Sequence, residues 1–340
     1  MINIGIVGYG YWGPNLARSF FEVKNSCVKM ICDLSEEKLK CAQQRHPSTT
    51  TTFNFTELVE NPEIDAIAIA TPVQTHYDLA LAALRAGKHV LLEKPMTETS
   101  EQAKHLIEEA AKRNLVLQVD HTFLFTPGVK KIHELMSTKE LGEIYFYDAT
   151  RVNLGLFRHD VSVIWDLAIH DLSILDYVLP DKPVAISATG TSHLRGSTEN
   201  SAFITLFFDS PTIAHINVNW LSPVKLRQTL IGGSRKMIVF DDLQTSEKIK
   251  VYDRGVYVED SEEGIQPVLK GYRMGDMWSP YLSTKEALVD EIEHFLDCIN
   301  NNTTPISDGE MGLRMVQLLE MATLSMRERG APIAIKNNSF

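Results

Sequence analysis

The sequence predicts a two-domain α/β protein, in which a doubly wound parallel sheet precedes an α+β domain with a large, mainly antiparallel open sheet. Short apolar runs alternate with helical patterns over residues 1 to about 120, and a glycine-rich loop directly follows the first run. From about residue 144, apolar and polar residues alternate, which is typical of a half-covered sheet. A chain of 340 residues is long enough to form two hydrophobic cores.

The first domain is predicted to span residues 1–120, with strands at 2–7, 27–32, 65–70, 89–92 and 115–119. A helix after the third strand should end at Gly87, because glycine readily adopts the left-handed conformation that closes helices. Thr99 and Gln102 predict a capping box for a helix over 100–113. This succession of elements indicates a Rossmann domain.

The second domain is predicted to span residues 121–340. Its strands are expected at 143–153, 183–190, 201–208, 214–220, 224–231, 235–240 and 247–252, and its helices at 127–137, 160–179, 284–300 and 308–329. Capping boxes are expected at Ser283 with Glu286 and at Ser307 with Glu310, and Gly330 should close the last helix. Residues 255–280 receive no assignment.

The glycine-rich loop, Gly8-Tyr9-Gly10-Tyr11-Trp12-Gly13, has the G-x-G-x-x-G spacing of a dinucleotide-binding site. The first glycine allows a tight turn, the second lets the backbone approach a pyrophosphate, and the third allows close packing of helix on strand. Asp33 follows the second strand, 20 residues after Gly13, where a carboxylate would accept hydrogen bonds from ribose hydroxyls. The pattern favours NAD over NADP, although Lys38 and Arg45 leave NADP open. The alternative is a structural glycine turn with a surface aspartate.

Composition excludes several classes of function. The chain has 33 basic and 44 acidic residues and a net charge of -11, so nucleic acid and anionic membranes are poor partners. Its 4 cysteines lack metal-binding spacing, which indicates reduced thiols and no metal site. Neither a signal peptide nor an apolar run long enough to span a bilayer is present, and we expect a cytoplasmic protein.

Polar residues follow two of the predicted parallel strands, where ligands of doubly wound sheets bind. The run from Thr71 through Pro72 to His76 follows the third strand, and Glu93-Lys94-Pro95 follows the fourth. Their position predicts that Lys94 lies beside the cofactor. The alternative is a surface lysine paired with its own glutamate. The candidate cofactor-binding residues are therefore Gly8, Gly10, Tyr11, Trp12, Gly13, Asp33, Thr71, Pro72, His76, Glu93 and Lys94.

A second group of candidates lies in the predicted helix over 160–179. Asp166 and His170 are four residues apart, so they share a helix face and the carboxylate could orient the imidazole. Arg158 lies just before this helix. The alternative for His170 is an ordinary structural histidine.

These residues resemble the glucose-fructose oxidoreductase/inositol dehydrogenase family, usually written Gfo/Idh/MocA. The resemblance covers nearly the whole chain and rests on GYGYWG at 8–13, T-P-x-x-x-H at 71–76, E-K-P at 93–95 and D-x-x-x-H at 166–170. It implies that Lys94 and His170 lie at the nicotinamide and carry proton transfer, with Asp166 beside them. Which of the two is the base stays open, because histidine titrates near neutral pH whereas a lysine does so only if its pKa is lowered.

A narrower resemblance is to the sugar-nucleotide 3-dehydrogenases, carried by YWGPNLAR, the segment 151–171 and the C-terminal S-D-G-E. It implies oxidation of the 3-hydroxyl of a UDP-N-acetyl-sugar or its uronic acid. That branch often has a tyrosine in the segment 121–127, where this chain has Phe125. Other hypotheses are a cyclitol dehydrogenase, a ketoreductase and a non-catalytic NAD-binding sensor.

An anionic substrate would need basic groups in this acidic chain. The candidate substrate-binding residues are Lys94, Arg151, Asn153, Arg158, Asp166 and His170. Alternatively, the arginines pair with Asp148 or Asp160 at the surface. Aromatic residues of the second domain, among them Tyr145 and Phe203, favour a homodimer or homotetramer formed through its sheet.

Overall fold

The chain forms two units. The computed structural model describes residues 1–155, 161–194, 198–259 and 269–335. The first unit comprises Met1–Thr126 together with Lys285–Glu320, and the second comprises the described residues of Pro127–Thr284 and those from Met321 onward. In this division, residues 285–320 belong with the first unit, whereas the sequence analysis placed them in the second domain.

The N-terminal part of the first unit alternates strands and helices as expected. Its elements are β1 (Ile2–Val7), α1 (Gly13–Glu22), β2 (Ser26–Cys32), α2 (Glu36–Arg45), β3 (Thr50–Thr52), α3 (Phe55–Val59), β4 (Ala66–Ile69), α4 (His76–Arg85), β5 (His89–Glu93), α5 (Ser100–Arg113) and β6 (Leu117–Asp120). The six strands form a parallel sheet in the order β3-β2-β1-β4-β5-β6. This is the predicted doubly wound arrangement, with the short strand β3 added to it.

The remaining elements follow in chain order. They are α6 (Pro127–Ser137), β7 (Ile144–Leu154), α7 (Ile169–Val178), β8 (Ala185–Thr191), β9 (Ser201–Phe207), β10 (Ile213–Asn219), β11 (Leu221–Gly233), β12 (Met237–Asp241), β13 (Ile249–Tyr252), β14 (Gly255–Glu259), β15 (Leu269–Arg273), β16 (Met277–Trp278), α8 (Ala287–Asn301), α9 (Gly309–Arg327) and β17 (Ile333–Ala334).

The second unit is built on a sheet in the order β16-β13-β12-β11-β7-β10-β9-β8-β17. Strands β7 and β10 pair in parallel, whereas the other paired strands of this sheet are antiparallel. The prediction of a mainly antiparallel sheet is therefore confirmed. Strands β14 and β15, in the segment that received no assignment, form a separate hairpin.

Helices α1 and α8 contribute to the core of the first unit. Leu16 and Phe20 of α1 and Ile292 and Phe295 of α8 are buried in the same apolar cluster as β1. Their spacing of three or four residues places them on one face of each helix, which explains why both helices pack here. The start of α1, and with it the glycine loop, is fixed by this core.

Helix ends test the local predictions. The capping box of Thr99 and Gln102 is present, and Gly87 and Gly330 have φ of 77° and 87°, as predicted. The box expected at Ser283 is wrong, because Glu286 itself precedes α8 without a side-chain cap.

The box expected at Ser307 is also wrong. Asp308 Oδ1 accepts a hydrogen bond from the Met311 N–H at 2.8 Å and so caps the start of α9. Within the described residues, no helix has the length and apolarity required to cross a membrane, and no group of acidic, histidine and cysteine side chains has the arrangement of a metal site.

Candidate functional site

The glycine loop turns sharply between β1 and α1. Gly8 has φ of 91°, and a Cβ atom there would lie 2.6 Å from the Ala70 carbonyl oxygen. A Cβ on Gly13 would collide with the Gly8 carbonyl oxygen. Both positions therefore require glycine, as the fingerprint predicts.

Gly10 leaves space beside the loop. Among the described residues, only Lys38 Nζ comes within 4 Å of a Cβ built there, at 3.8 Å. Trp12 directly precedes α1, Pro14 lies in its first turn, and the side chain of Tyr11 is exposed. The helix start and the open backbone beside it fit a diphosphate group, which backbone N–H groups and the helix dipole would stabilise.

Asp33 connects the loop to the end of β2. Its Oδ2 accepts a hydrogen bond from Tyr9 N at 2.7 Å, and its Oδ1 accepts one from Ser35 N at 2.8 Å. Lys38 Nζ lies 3.7 Å from Oδ2. Because each carboxylate oxygen can accept more than one hydrogen bond, Asp33 can hold the loop and still bind ribose hydroxyls.

Asp120 is a residue of this region that the sequence analysis missed. It ends β6, and its Oδ2 accepts a hydrogen bond from Trp12 Nε1 at 2.6 Å. The rule that ligands bind at the carboxyl ends of parallel strands would have identified it, had it also been applied to the fifth predicted strand.

Lys94 follows β5 at the carboxyl edge of the parallel sheet. Its backbone N–H donates to Glu93 Oε2, its side chain is partly buried, and the Lys94–Pro95 peptide bond is cis. The structure thus places Lys94 at the strand end expected from the sequence.

His76 links this segment to the one after β4. Its Nδ1 lies 2.9 Å from the Pro95 carbonyl oxygen, and its Nε2 lies 2.8 Å from that of Thr71. Burial lowers the pKa of His76, and the ring is almost fully inaccessible. We therefore correct its expected role from direct cofactor contact to positioning of the Lys94 segment. Thr71 and Pro72 remain partly or fully exposed at the end of β4.

In the second unit, Asp166 lies in a π-helical turn, Ile164–Ala168, that leads into α7 at Ile169. Both Asp166 and His170 are partly buried. A π turn inside a helix often accompanies a functional site, because it changes the direction of side chains without ending the helix. The expected helix start at Asp160 lies outside the described residues.

Arg151 does not have the role expected from the sequence. Its Nε and Nη2 donate to the two carboxylate oxygens of Asp171, at 2.7 Å and 3.1 Å, and both side chains are only 4% exposed. This bidentate pair connects β7 to α7, so the guanidinium charge is already balanced. Arg151 is therefore assigned to the structure of the second unit. The acidic partner of Arg151 among the described residues is Asp171, which the sequence analysis did not consider.

Two further residues, Asn153 and Arg158, were candidates for binding an anionic substrate. Asn153 is partly buried on β7, two residues beyond Arg151. Arg158 lies outside the described residues.

Comparisons with known proteins agree with this architecture. Residues 2–121 match the family model described as an oxidoreductase family with an NAD-binding Rossmann fold, and residues 129–239 match the GFO/IDH/MocA C-terminal domain. UDP-N-acetylglucosamine 3-dehydrogenase of Acidithiobacillus ferrooxidans is 30% identical over 92% of this chain and 93% of that protein.

More distant relatives align over nearly the whole chain. Myo-inositol 2-dehydrogenase of Thermotoga maritima is 22% identical over 96% of this chain and 97% of its own. The solved structure of a levoglucosan dehydrogenase in complex with NADH and L-sorbose superimposes with a TM-score of 0.83 at 17% identity, covering 100% of both chains. The chain belongs to the Gfo/Idh/MocA family of NAD-binding oxidoreductases.

Proposed function

We propose that this protein is an NAD-dependent dehydrogenase that oxidises a secondary hydroxyl of a pyranose sugar. The observation that carries the proposal is the position of Lys94, at the carboxyl end of β5 in an NAD-binding sheet. His76 fixes its neighbour Pro95 from the adjacent strand end. We expect a lysine on a segment anchored in this way to take part in acid–base chemistry.

The reaction needs a hydride acceptor and a base. NAD supplies the acceptor when bound, at C4 of the nicotinamide. Lys94 or His170 accepts the proton of the substrate hydroxyl while the C–H bond breaks, which leaves a ketone. Asp166 orients the imidazole of His170 or stabilises its charge.

The preferred substrate class is a UDP-N-acetyl-sugar or its uronic acid, oxidised at the 3-hydroxyl. Support comes from the 30% identical relative, a UDP-N-acetylglucosamine 3-dehydrogenase. The departure at Phe125 falls in the core, since this side chain is 1% exposed and its ring lies 5.4 Å from that of His294.

A substrate panel tests the proposal. Purified protein is incubated with NAD and, separately, UDP-N-acetylglucosamine, its uronic acid, neutral hexoses and inositols, and the absorbance of reduced nicotinamide is followed. Turnover of the sugar nucleotides at the highest kcat/KM is expected. A preference for inositols would instead indicate a cyclitol dehydrogenase, and NAD binding without turnover of any substrate would indicate a sensor.

The anionic part of the substrate is assigned to Arg158 in this proposal. Because Arg151 is committed to Asp171, Arg158 is the remaining arginine of the segment before α7. Arg158→Ala should raise KM for a sugar nucleotide about tenfold or more, as expected for loss of a charge-assisted hydrogen bond, and leave a neutral sugar unaffected. Equal effects on both substrates would contradict this assignment.

We also propose that the protein is a homodimer or homotetramer formed through the open sheet of the second unit. Phe203 of β9 and Ile213 of β10 are 46% and 47% exposed, and the His215 ring stacks on Phe203 with centroids 5.9 Å apart. Tyr145 of β7 is also exposed, but it lies on the opposite face of the sheet, because its neighbour Phe146 pairs with Ile213. Exposed large apolar side chains on one face of a sheet are typical of a protein interface.

A further inference from the structure

Glu291 is a buried carboxyl group that has no part in the proposed reaction. It lies on α8, between the apolar positions Leu288 and Phe295, and is 0% exposed. The side chains of Asp120, at the end of β6, and of Thr122 lie beside it, and Glu93 of β5 is nearby. A carboxylate without hydrogen-bond partners in such a place would cost several kcal/mol, on the order of the desolvation of an ion.

The hydrogen bonds of Asp120 show which of the two carboxyl groups is ionised. Asp120 accepts from Trp12 Nε1 and from the Thr122 hydroxyl, one bond to each carboxylate oxygen. Two donors stabilise the charged form of Asp120. The Thr122 hydroxyl proton is thereby used, and neither oxygen of Glu291 has a well-aligned donor in the described part of the chain. Two adjacent carboxyl groups can form a hydrogen bond only if one is protonated.

We propose that Glu291 is a positioning residue for dinucleotide binding, held as a neutral carboxylic acid that donates a hydrogen bond to the Asp120 carboxylate. Asp120 in turn holds the indole of Trp12, which directly precedes α1. Glu291 thus acts on the glycine loop through two hydrogen bonds and touches neither the cofactor nor the substrate. The arrangement connects α8 to the phosphate-binding end of α1.

The electrostatic surroundings support this protonation state. Burial, and then the charge and hydrogen bonding of Asp120, raise the pKa of Glu291 well above its ordinary value, and the nearby Glu93 of β5 acts in the same direction. The Thr122 hydroxyl has a smaller, opposite effect. Along α8, Glu286 is paired with Arg18 of α1, and the His294 ring accepts a hydrogen bond from Ile306 N at 2.9 Å. Neither of these groups supplies Glu291 with a donor.

The first test is the pH dependence of stability. A carboxyl group with a raised pKa keeps a proton in the folded state that the unfolded chain releases above its ordinary pKa, 4.5. Stability is therefore full below that pH and is lost as pH rises towards the folded pKa, by up to about tenfold in the folding equilibrium per pH unit. Glu291→Gln, which cannot ionise, should escape this loss and gain stability relative to wild type between pH 5 and 8. If the difference in the free energy of unfolding between Glu291→Gln and wild type stayed constant from pH 5 to 8, the proposal would be overturned.

The second test is NAD affinity, measured by calorimetry without substrate. At pH 7, Glu291→Gln should bind NAD within about threefold of wild type, because its amide donates the same hydrogen bond to Asp120. Glu291→Met and Trp12→Phe should each weaken binding about fivefold, the effect of one ordinary hydrogen bond, and the double variant should be no weaker than either. Asp297→Asn, on the exposed side of α8, is the matched control.

Two outcomes of the affinity measurement would contradict the proposal. Equal weakening in Glu291→Gln and Glu291→Met would mean that the negative charge is needed, and wild-type affinity in Glu291→Met would mean that Glu291 does not position the loop. Should Glu291→Met fail to fold, the pH dependence of the stability of Glu291→Gln still decides. The measurements require no turnover, so they are independent of the proposed substrate.

Discussion

At the scale of single residues, Asp33 contacts both the glycine loop and Lys38, whereas the sequence predicted only its binding of ribose hydroxyls. Its carboxylate binds the backbone of the glycine loop at Tyr9 and also lies 3.7 Å from Lys38 Nζ. The first contact makes the loop dependent on Asp33. The second places a cation where the 2'-phosphate of NADP would need one.

Asp33→Asn should therefore weaken NAD binding by about 1.5–3 kcal/mol, through loss of a charge-assisted hydrogen bond. The affinity for NADP should rise relative to NAD, because Lys38 no longer faces a carboxylate. Dissociation constants for both dinucleotides measure this. The double variant Asp33→Asn with Lys38→Gln is the control, and it should lose the relative gain in NADP affinity. A wild type that prefers NADP would contradict the assignment of Asp33.

The buried pair of Arg151 and Asp171 gives another prediction at this scale. Asp171→Asn leaves a buried guanidinium without its counter-charge and should lower the free energy of unfolding by about 3–5 kcal/mol. Replacing both residues, as in Arg151→Met with Asp171→Leu, should cost less than the single change, since no charge is left unpaired. Denaturant unfolding of both variants tests this, and a larger loss in the double variant would show that the pair has a role beyond balancing its own charges.

At the scale of secondary structure elements, the sequence predicted regular patterns well and unusual contacts poorly. Strands such as β1 and β4 were predictable because a continuous apolar run permits few other structures. The start of α8 was mispredicted because Ser283 and Glu286 have capping-box spacing, while Glu286 instead pairs with Arg18, distant in sequence. The π turn before α7 has no periodicity that distinguishes it from an ordinary helix.

The starts of α5 and α9 allow a true helix cap to be compared with a residue that only has capping-box spacing. Thr99 accepts the Gln102 N–H as a true cap, so Thr99→Ala should lower the free energy of unfolding by about 1 kcal/mol. Ser307 has the same sequence spacing, but its buried hydroxyl has no hydrogen-bond partner within the described residues. Ser307→Ala should therefore be neutral or stabilising. Thermal unfolding of the two variants measures this, and equal destabilisation would contradict the assignment of the caps.

At the scale of the whole molecule, family and cofactor were predictable from motifs because they depend on local backbone geometry, as at Gly8 and Gly13. The candidate site was predictable where a residue follows a strand, as Lys94 does. It was not predictable where a partner comes from a distant part of the chain. Asp171 for Arg151 and Asp120 for Trp12 are such partners, 20 and 108 residues away.

Assembly through the open sheet gives a prediction at this scale. Phe203→Asp places a charge in the exposed apolar face of β9 and should convert the proposed oligomer into smaller species. Light scattering coupled to size-exclusion chromatography measures the mass. Glu22→Lys, at the end of α1 in the first unit, serves as a surface control. A wild-type monomer, or an unchanged mass for Phe203→Asp, would contradict assembly through this face.

In the proposed reaction, Lys94 performs acid–base chemistry during NAD-dependent oxidation of a sugar hydroxyl. The most direct measurement is the rate of NAD reduction by Lys94→Ala and by wild type under single-turnover conditions, with NAD affinity measured in parallel. We expect a loss of about 10²- to 10⁴-fold in rate for the variant, the effect of removing a positioned acid–base group, with NAD affinity changed much less. An unchanged rate on a substrate that the wild type oxidises would contradict it.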